Sequence, residues 1–166
     1  MSLTFRPVRD DDVAAICRWP QSADELYFFF PRARYPLTAE QLRQAIAERA
    51  EARVIERAGE PLGFANFHRW EQGGPCSIGN LVVAPTARRQ GVARQLVQQM
   101  CALAFGRYQA SEVRVSCFNH NTAGLLLYPA LGFVPFALEE RQGPTAERVA
   151  LLHMRLPRNL WPSAQA

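Results

Sequence analysis

Apolar residues recur with two different periods in the first fifty positions of the chain. Residues 3–8 alternate between apolar and polar side chains, as a half-buried strand does. Helical spacing follows in two short segments: one opens on the acids Asp10–Asp12, and Ser22 can cap the other. Thr38–Gln41 matches a capping box and predicts a third helix. The apolar face of that helix is predicted to comprise Leu42, Ile46 and Ala50.

Strand and helix patterns alternate through the rest of the chain. A hairpin signal at Ala58–Pro61 separates predicted strands at 52–57 and 62–70. Strands that alternate with helices after a run of N-terminal helices predict a mixed α/β sheet. Further strands are predicted at 77–83, 112–117, 133–138 and 148–156, and further helices from Gly91 and at 121–131.

One strand–turn–helix junction, residues 80–94, has the clearest candidate chemistry. A β-branched strand leads through a basic turn into a helix that opens on Gly91. Backbone N–H groups and the helix dipole converge at such a junction, which suits a phosphate group. Gly91 lets the backbone approach a pyrophosphate closely, and Ala93 keeps the first helical turn narrow. The cations expected around the anion are Arg88, Arg89 and Arg94.

At this junction the chain resembles the GNAT superfamily of acetyl-coenzyme A-dependent N-acetyltransferases. Arg88-x-x-Gly91-x-Ala93 is similar to that family's Arg/Gln-x-x-Gly-x-Gly/Ala signature, and the strand end Val83-Ala84-Pro85 fits as well.

A second block, residues 121–133, resembles the same family. It contains Asn121, then Leu127-Tyr128, then Leu131-Gly132-Phe133, similar to the family's Asn, Leu-Tyr and Leu-Gly-Phe pattern. The two blocks span residues 76–133, and their order and separation are those of the family.

The resemblance implies a central, mostly antiparallel sheet that is splayed near Val82 and Val83 and flanked by helices. It also implies transfer of an acetyl group from acetyl-coenzyme A to a primary amine by direct attack. Tyr128 would be the general acid that protonates the departing thiolate. The residues expected to contact coenzyme A are Leu81, Val82, Val83, Arg88, Arg89, Gln90, Gly91, Val92, Ala93, Arg94 and Asn121.

The resemblance places the acceptor beside the N-terminal helices. Trp19, Tyr27 and Phe29 are therefore expected to contribute to the acceptor side, together with His68. The acceptor is expected to be a small-molecule or peptide amine. Each of these assignments has a structural alternative: an aromatic side chain can belong to the core, Asn121 can be a helix cap, and Tyr128 can be a core aromatic.

Two features depart from the family's pattern. Pro129 follows Tyr128 where the family commonly has glutamate, and a proline there is expected to kink the helix at the tyrosine. The strand that leads into Val83 has no carboxylate, whereas many relatives have a glutamate there as general base. The base is therefore left open between Glu71, His68 and water.

Length and composition indicate one small enzyme domain, expected at 1–162, with a short tail at 163–166. The 166 residues are 48% hydrophobic, enough for a sizeable core. No charged-then-apolar leader and no apolar stretch long enough for a bilayer is apparent, so the chain is expected to be cytoplasmic and without a membrane partner. The cysteines lack metal-binding spacing and are expected to be reduced core residues without a metal. They are Cys17, Cys76, Cys101 and Cys117.

The charge pattern does not favour a nucleic acid as partner. All 19 basic residues are arginine, the net charge is only +4, and the arginines are scattered along the chain.

Two other functions stay open. A non-catalytic acyl-coenzyme A sensor needs the first block but not Tyr128. A dinucleotide-binding oxidoreductase would use Glu112 on a ribose, although two of its three glycines are missing. The assembly is expected to be a monomer or a homodimer.

Overall fold

The computed structural model describes residues 2–162, and a sheet of seven strands forms its centre. Five helices and three single turns of 3-10 helix connect the strands. The tail expected at 163–166 lies outside the described residues. The strands are β1 (Thr4–Pro7), β2 (Ala50–Arg57), β3 (Glu60–Trp70), β4 (Pro75–Val83), β5 (Glu112–Phe118), β6 (Val134–Gln142) and β7 (Arg148–Pro157). The helices are α1 (Val13–Cys17), α2 (Ala23–Phe29), α3 (Ala39–Glu48), α4 (Val92–Arg107) and α5 (Thr122–Ala130).

The sheet consists of two antiparallel halves that are joined by one short parallel contact. The strand order is β1-β2-β3-β4-β5-β7-β6, and only β4 and β5 run parallel. These two strands pair over Pro75–Ser77 and Glu112–Arg114, and beyond that point they separate. This confirms the predicted mixed, mostly antiparallel fold. The separation begins just after Ser77, so Val82 and Val83 lie well inside the splayed part.

Helices cover both faces of the sheet. A Cβ on Gly63 would lie 2.8 Å from Ile55 Cγ2 and 3.2 Å from Leu96 Cδ2, so α4 packs directly on β2 and β3. Helix α5 lies on β5 on that same side, where a Cβ on Gly124 would meet Cys117 Sγ at 2.6 Å. Helices α1 to α3 pack on the opposite face of β2, β3 and β4. We call the α4–α5 side the back face and the other side the front face.

Two details of the predicted elements need correction. Ala50 starts strand β2, because helix α3 ends at Glu48. Thr38 caps α3 by accepting from Gln41 N–H at 3.3 Å, but the Gln41 side chain bonds to the Arg34 backbone, so the reciprocal half of the capping box is missing. Helix α5, predicted at 121–131, runs from Thr122 through Tyr128 and Pro129 to Ala130.

The cysteines are unpaired and mostly buried. All four cysteines are free thiols, and three are buried, whereas Cys17 is half-buried. Among the described residues, no helix is both long and apolar enough to cross a bilayer.

Candidate active site

The turn between β4 and α4 forms an open cradle of backbone N–H groups. Gly91 is the N-cap of α4 with φ +81°, and Arg89 also has a positive φ of +62°. A Cβ on Gly91 would meet nothing within 4 Å, so the space in front of it is free. No side chain of the described residues caps the helix, and its first N–H groups remain available for an anion. The geometry therefore fits a pyrophosphate.

The arginines of the turn differ in how they are engaged. Arg88 donates to Glu25 of α2 at 2.8 Å and to the Val83 carbonyl at 3.3 Å, so a carboxylate already compensates its charge. Arg89 and Arg94 form no ion pair within the described part of the chain, and neither does Arg57, which reaches Gln90 of the same turn at 3.5 Å. The side chain of Gln90 bonds back to the Thr86 carbonyl at 3.0 Å, which closes the turn.

A gap with an unpaired strand edge leads from the cradle into the sheet. The Ala84 N–H donates to the Leu62 carbonyl of β3 at 2.8 Å. Because successive residues of a strand direct their N–H groups to opposite sides, the N–H groups of Val83 and Leu81 face the gap. The gap thus offers backbone donors and acceptors to an extended ligand, as an added strand would use them.

A bulge in β4 lies within the splayed part of the sheet. Asn80 has φ +50°, and the register with β3 shifts between Phe64 and Asn66. The buried Asn80 amide donates to the Phe29 carbonyl at 2.8 Å, and Asn66 donates to Asn80 Oδ1 at 2.8 Å. This network fixes the end of α2 to the bulge on the front face.

Tyr128 projects from α5 with a buried ring. The residue is 7% exposed, and its ring meets Phe133 edge-on at 5.9 Å between centroids. The Tyr128 hydroxyl has no hydrogen-bond partner in the described chain. Among the described residues, Arg53 Nε is the only fully buried side-chain nitrogen or oxygen without a partner, so the Tyr128 hydroxyl is not fully buried. The hydroxyl therefore keeps access to open space. Burial, followed by the nearby Cys117 thiol, raises the pKa of Tyr128 well above its usual range, so the phenol stays protonated.

The residues before Tyr128 fix the helix against β5. The Asn121 side chain accepts from the Gly124 N–H at 3.2 Å and is the N-cap of α5, as its sequence position predicted. Burial raises the pKa of the Cys117 thiol to about 11, which leaves it protonated and unsuited to carry an acyl group.

The aromatic candidates for the acceptor side are in different environments. Trp19 and Phe29 are buried in the main core. Tyr27 is half-buried, stacks on Phe118 of β5 at 4.5 Å between centroids, and donates to the Gln142 carbonyl at 2.5 Å. Helix α2 therefore spans the gap on the front face, since Phe29 contacts β4 and Tyr27 contacts β5.

His68 lies on the front face of β3, beside Gly79 of β4. A Cβ on Gly79 would lie 2.8 Å from His68 Cδ2 and 2.7 Å from Arg49 Nη1. Partial desolvation and the charges of Arg49 and Arg32 lower the pKa of His68 to about 4. The imidazole is neutral at physiological pH. Glu71, the other candidate base, is ion-paired with Arg69 at 2.9 Å.

A hydrogen-bonded chain on the front face was not anticipated from the sequence. Ser116 Oγ of β5 lies 2.7 Å from Nδ1 of His153 in β7, and His153 Nε2 lies 2.7 Å from Glu139 Oε1 of β6. These three residues lie on three strands, and the β5–β7 and β6–β7 registers together bring them into contact. Within the described residues, no group of histidines, cysteines and carboxylates could hold a metal ion.

Similar folds occur in several N-acetyltransferases of known structure. The ribosomal-protein-alanine N-acetyltransferase from Brucella melitensis superposes with a TM-score of 0.75 at 21% identity, covering 93% of this chain and 99% of that one. The ribosomal-protein-S18-alanine N-acetyltransferase from Escherichia coli gives 0.73 at 19% identity, with 97% and 100% covered. The spermidine N-acetyltransferase from Vibrio cholerae, solved in complex with CoA and spermine, gives 0.77 at 16% identity, with 95% and 96% covered.

The sequence itself matches the model of the acetyltransferase (GNAT) family over residues 14–133. This range includes the cradle, the gap and the candidate acid Tyr128. The chain therefore belongs to the GNAT acetyltransferase family.

Proposed function

We propose that this protein transfers an acetyl group from acetyl-coenzyme A to a primary amine by direct attack, with Tyr128 as general acid. The observation that supports this most is the continuity of the site. The open cradle at Gly91 runs into a gap edged by the free N–H groups of Leu81 and Val83, and the Tyr128 hydroxyl has no partner in the described chain. The acceptor would be a small-molecule or peptide amine.

The cradle and the gap would bind different portions of the donor. The first turn of α4, with Arg89 and Arg94, would hold the pyrophosphate, and Asn121 would contact the arm. Bound acetyl-coenzyme A supplies an activated acetyl thioester. The N–H groups of Leu81 and Val83 would pair with the arm and polarise the acyl oxygen.

Tyr128 would supply a proton at the sulfur. The buried phenol is neutral, and a thiolate that departs into the same apolar surroundings is itself made more basic by desolvation. The higher basicity of the thiolate partly offsets the raised pKa of the phenol. Since proximity supplies much of the acceleration, no covalent enzyme intermediate is required.

The geometry does not favour an oxidoreductase. Glu112, the candidate ribose ligand, starts β5 and pairs with Arg114. Because β4 and β5 are parallel, the start of β5 lies at the opposite end of the sheet from Gly91. A non-catalytic sensor would share the cradle, and turnover distinguishes it from an enzyme.

The test combines calorimetry with release of free thiol across a panel of amines. Acetyl-coenzyme A should bind with a Kd on the order of micromolar, and thiol release should depend on the amine. Gly91→Glu places a carboxylate in the anion cradle and should abolish binding. Gly73→Glu is the matched control, because Gly73 also has a positive φ (+74°) and open space but lies in the turn before β4. Equal affinity in both variants would refute the cradle, and binding without turnover would indicate a sensor.

A further inference from the structure

The chain Ser116–His153–Glu139 has a defined direction for proton movement. A carboxylate can only accept, so the His153 Nε2–H must donate to Glu139. In the neutral imidazole, Nδ1 is then unprotonated and accepts from the Ser116 hydroxyl at 2.7 Å. The serine oxygen keeps lone pairs that can accept a further proton. Arg141 and then His153 lower the pKa of Glu139, so its carboxylate stays charged.

This chain lies at the edge of the gap on the front face. The last residue of β5 that pairs with β4 is Arg114, and Ser116 is the next residue on the same face. Continuing the register would place Ser116 opposite Gly79, beside His68. The next residue of β5 on this face is Phe118, and helix α2 covers it through the stacked ring of Tyr27. An amine that approaches the gap from the front therefore passes Ser116.

The arrangement differs from that of a nucleophilic serine triad. In such triads the serine bonds to Nε2 of the histidine and the acid bonds to Nδ1, whereas here the two nitrogens are exchanged. Ser116 also sits within a regular strand and not on a sharp turn. The geometry is suited to moving a proton through the serine hydroxyl.

We infer that Ser116, His153 and Glu139 form a proton relay that deprotonates the acceptor amine; this inference rests on the proposed acetyltransferase function. An ammonium N–H bond breaks as its proton passes to Ser116 Oγ, while the serine proton passes to His153 Nδ1. Glu139 holds the resulting imidazolium, and the amine keeps its lone pair for attack. The relay supplies the base for which β4 offers no carboxylate.

Several charged groups face the relay. Arg141 of β6 bonds to Glu139 at 3.0 Å, and His68 of β3 lies within electrostatic range of His153. Arg114 of β5 and Arg155 of β7 each lie 5.2 Å from the ring of Phe136, which neighbours His153. Arg114 is paired with Glu112, and Glu139 is the carboxylate that bonds to the imidazole itself.

The test follows thiol release as a function of pH for wild type, His153→Gln, Ser116→Ala and Glu139→Gln. With an aliphatic amine, His153→Gln should lower kcat/KM about 100-fold at neutral pH and abolish the acidic limb of the pH profile. The loss should shrink with weakly basic amines, which are already neutral. Glu140→Gln is the matched control, because Glu140 is the neighbouring residue and pairs with Arg148 instead.

The outcomes separate this inference from the proposed function. If wild type releases no thiol with any amine, both are refuted. If wild type is active but His153→Gln keeps the same pH profile, or loses equally with basic and weakly basic amines, only the relay is refuted. Calorimetry with acetyl-coenzyme A should be unchanged in all four variants, which shows that they are folded.

Arg49 provides an independent observation about the acceptor. It follows the last turn of α3, is half-buried, and reaches over β4 to Gly79. Its one side-chain hydrogen bond in the described chain is long, 3.4 Å to Asn66 Oδ1, and no carboxylate of the described residues lies within 4.0 Å. Desolvation and the nearby Arg32 lower the pKa of Arg49. A partly desolvated cation without a counter-ion favours an incoming anion.

The geometry points to an acceptor that bears a carboxylate or similar anion next to its amine, held by Arg49 with Arg32 nearby. Desolvation is the main cause of the low pKa of His68, and the charges of Arg49 and Arg32 add to it, so cations lie near this part of the front face. A polyamine would be repelled there, whereas an anionic group on the acceptor would supply the missing partner. This inference, too, rests on the proposed function and narrows its substrate class.

Matched acceptors test this inference. Free amino acids should be acetylated with kcat/KM about 10- to 100-fold above their methyl esters, and above spermidine, in wild type. Arg49→Gln should remove that preference mainly through KM and leave the esters unaffected. Arg43→Gln is the control, since Arg43 lies exposed on the same helix and pairs with Asp10.

Two results would overturn the anion site. One is equal use of acids and esters by wild type, and the other is an acid preference that survives in a folded Arg49→Gln variant. An active enzyme that prefers spermidine would refute the anion site while leaving the acetyltransferase function intact. Arg49→Lys, which keeps the charge but not the planar fork, should retain part of the preference.

Discussion

At the level of single residues, Tyr128 combines a fixed ring with a free hydroxyl. Phe133 and the surrounding core hold the ring, and the hydroxyl bonds to nothing in the described chain. The family motif predicts this tyrosine as the general acid, but Pro129 leaves the direction of its side chain open. The proline falls in the last turn of α5, and the backbone N–H groups of Leu131 and Phe133 bond to the Tyr128 carbonyl. The chain after the proline is thereby tied back to the tyrosine.

Tyr128→Phe should separate catalysis from folding. The ring remains, and no hydrogen bond or packing is lost, so the free energy of unfolding should change by less than about 0.5 kcal/mol. Turnover should fall about 10- to 1,000-fold, with little change in acetyl-coenzyme A affinity. The loss should shrink with acyl donors whose thiol leaves more easily. Tyr108→Phe is the control, because it also removes a single phenolic hydroxyl, one that bonds to Glu51 and has no proposed part in the reaction. Unimpaired turnover in Tyr128→Phe would return this residue to a purely structural role.

His68 gives a prediction about pH and stability. Its pKa is about 4 in the folded protein and near 6.5 in an unfolded chain, so the unfolded state binds more protons between these values. Its contribution to stability is therefore present above pH 6.5 and is lost as the pH falls towards 4. Urea unfolding of His68→Gln across that range should show a weaker decline than wild type. Parallel declines for wild type and His68→Gln would show that the imidazole is not perturbed.

At the level of elements, helix α5 packs closely on β5 because Gly124 has no side chain. A Cβ at Gly124 would lie 2.6 Å from the buried Cys117 Sγ and 3.1 Å from Asn121 Nδ2, which is also part of the helix cap. Glycine is an unfavourable residue within a helix, so the close contact explains its place there. The position of Tyr128 depends on this close packing.

Gly124→Ala should destabilise the protein despite the higher helix propensity of alanine. Overpacking should lower the free energy of unfolding by roughly 1–3 kcal/mol, more than the ~1 kcal/mol that alanine contributes in a helix. Cys117→Ala removes the sulfur that the new methyl would meet, so the double variant should recover part of the loss in a double-mutant cycle. Strictly additive effects in urea titrations would indicate that the two residues are not in contact.

Local patterns predicted these elements better than they predicted how the elements meet. The caps at Ser22, Thr38 and Asn121 form as expected, because each depends on residues three positions apart. The Gln41 side chain does not complete the predicted capping box, because it bonds to the Arg34 backbone in the loop before α3. The pairing of Ser116 with His153 depends on strand register, which a single sequence does not specify.

At the level of the whole molecule, the sheet is two half-sheets held together at two places. Three residue pairs join β4 to β5, and α2 bridges the opening through Phe29 and Tyr27. The family motifs predicted a splayed sheet but not its extent. That extent follows from the bulge at Asn80, which redirects β4 away from β5 after the last pair at Ser77. The proposed donor would occupy the space that the strands leave open.

Amide exchange can test this division directly. In the free protein, the N–H groups of Leu81 and Val83 face the gap, whereas those of Val82 and Ala84 face β3, with the Ala84 bond measuring 2.8 Å. Exchange measured by NMR should therefore be at least ~10-fold faster at Leu81 and Val83, because only locally protected amides need an opening event.

Coenzyme A should reduce this difference. Binding stabilises the whole fold by mass action, about 2.7 kcal/mol at a hundred times Kd, and slows every amide that exchanges by global unfolding. Leu81 and Val83 should slow beyond that common effect, because they gain partners in the gap. Gly91→Glu should lose both effects, and Gly73→Glu should keep them. If Leu81 and Val83 are already as protected as Val82 and Ala84 in the free protein, the strand edge is not available. The donor would then have to bind outside the sheet.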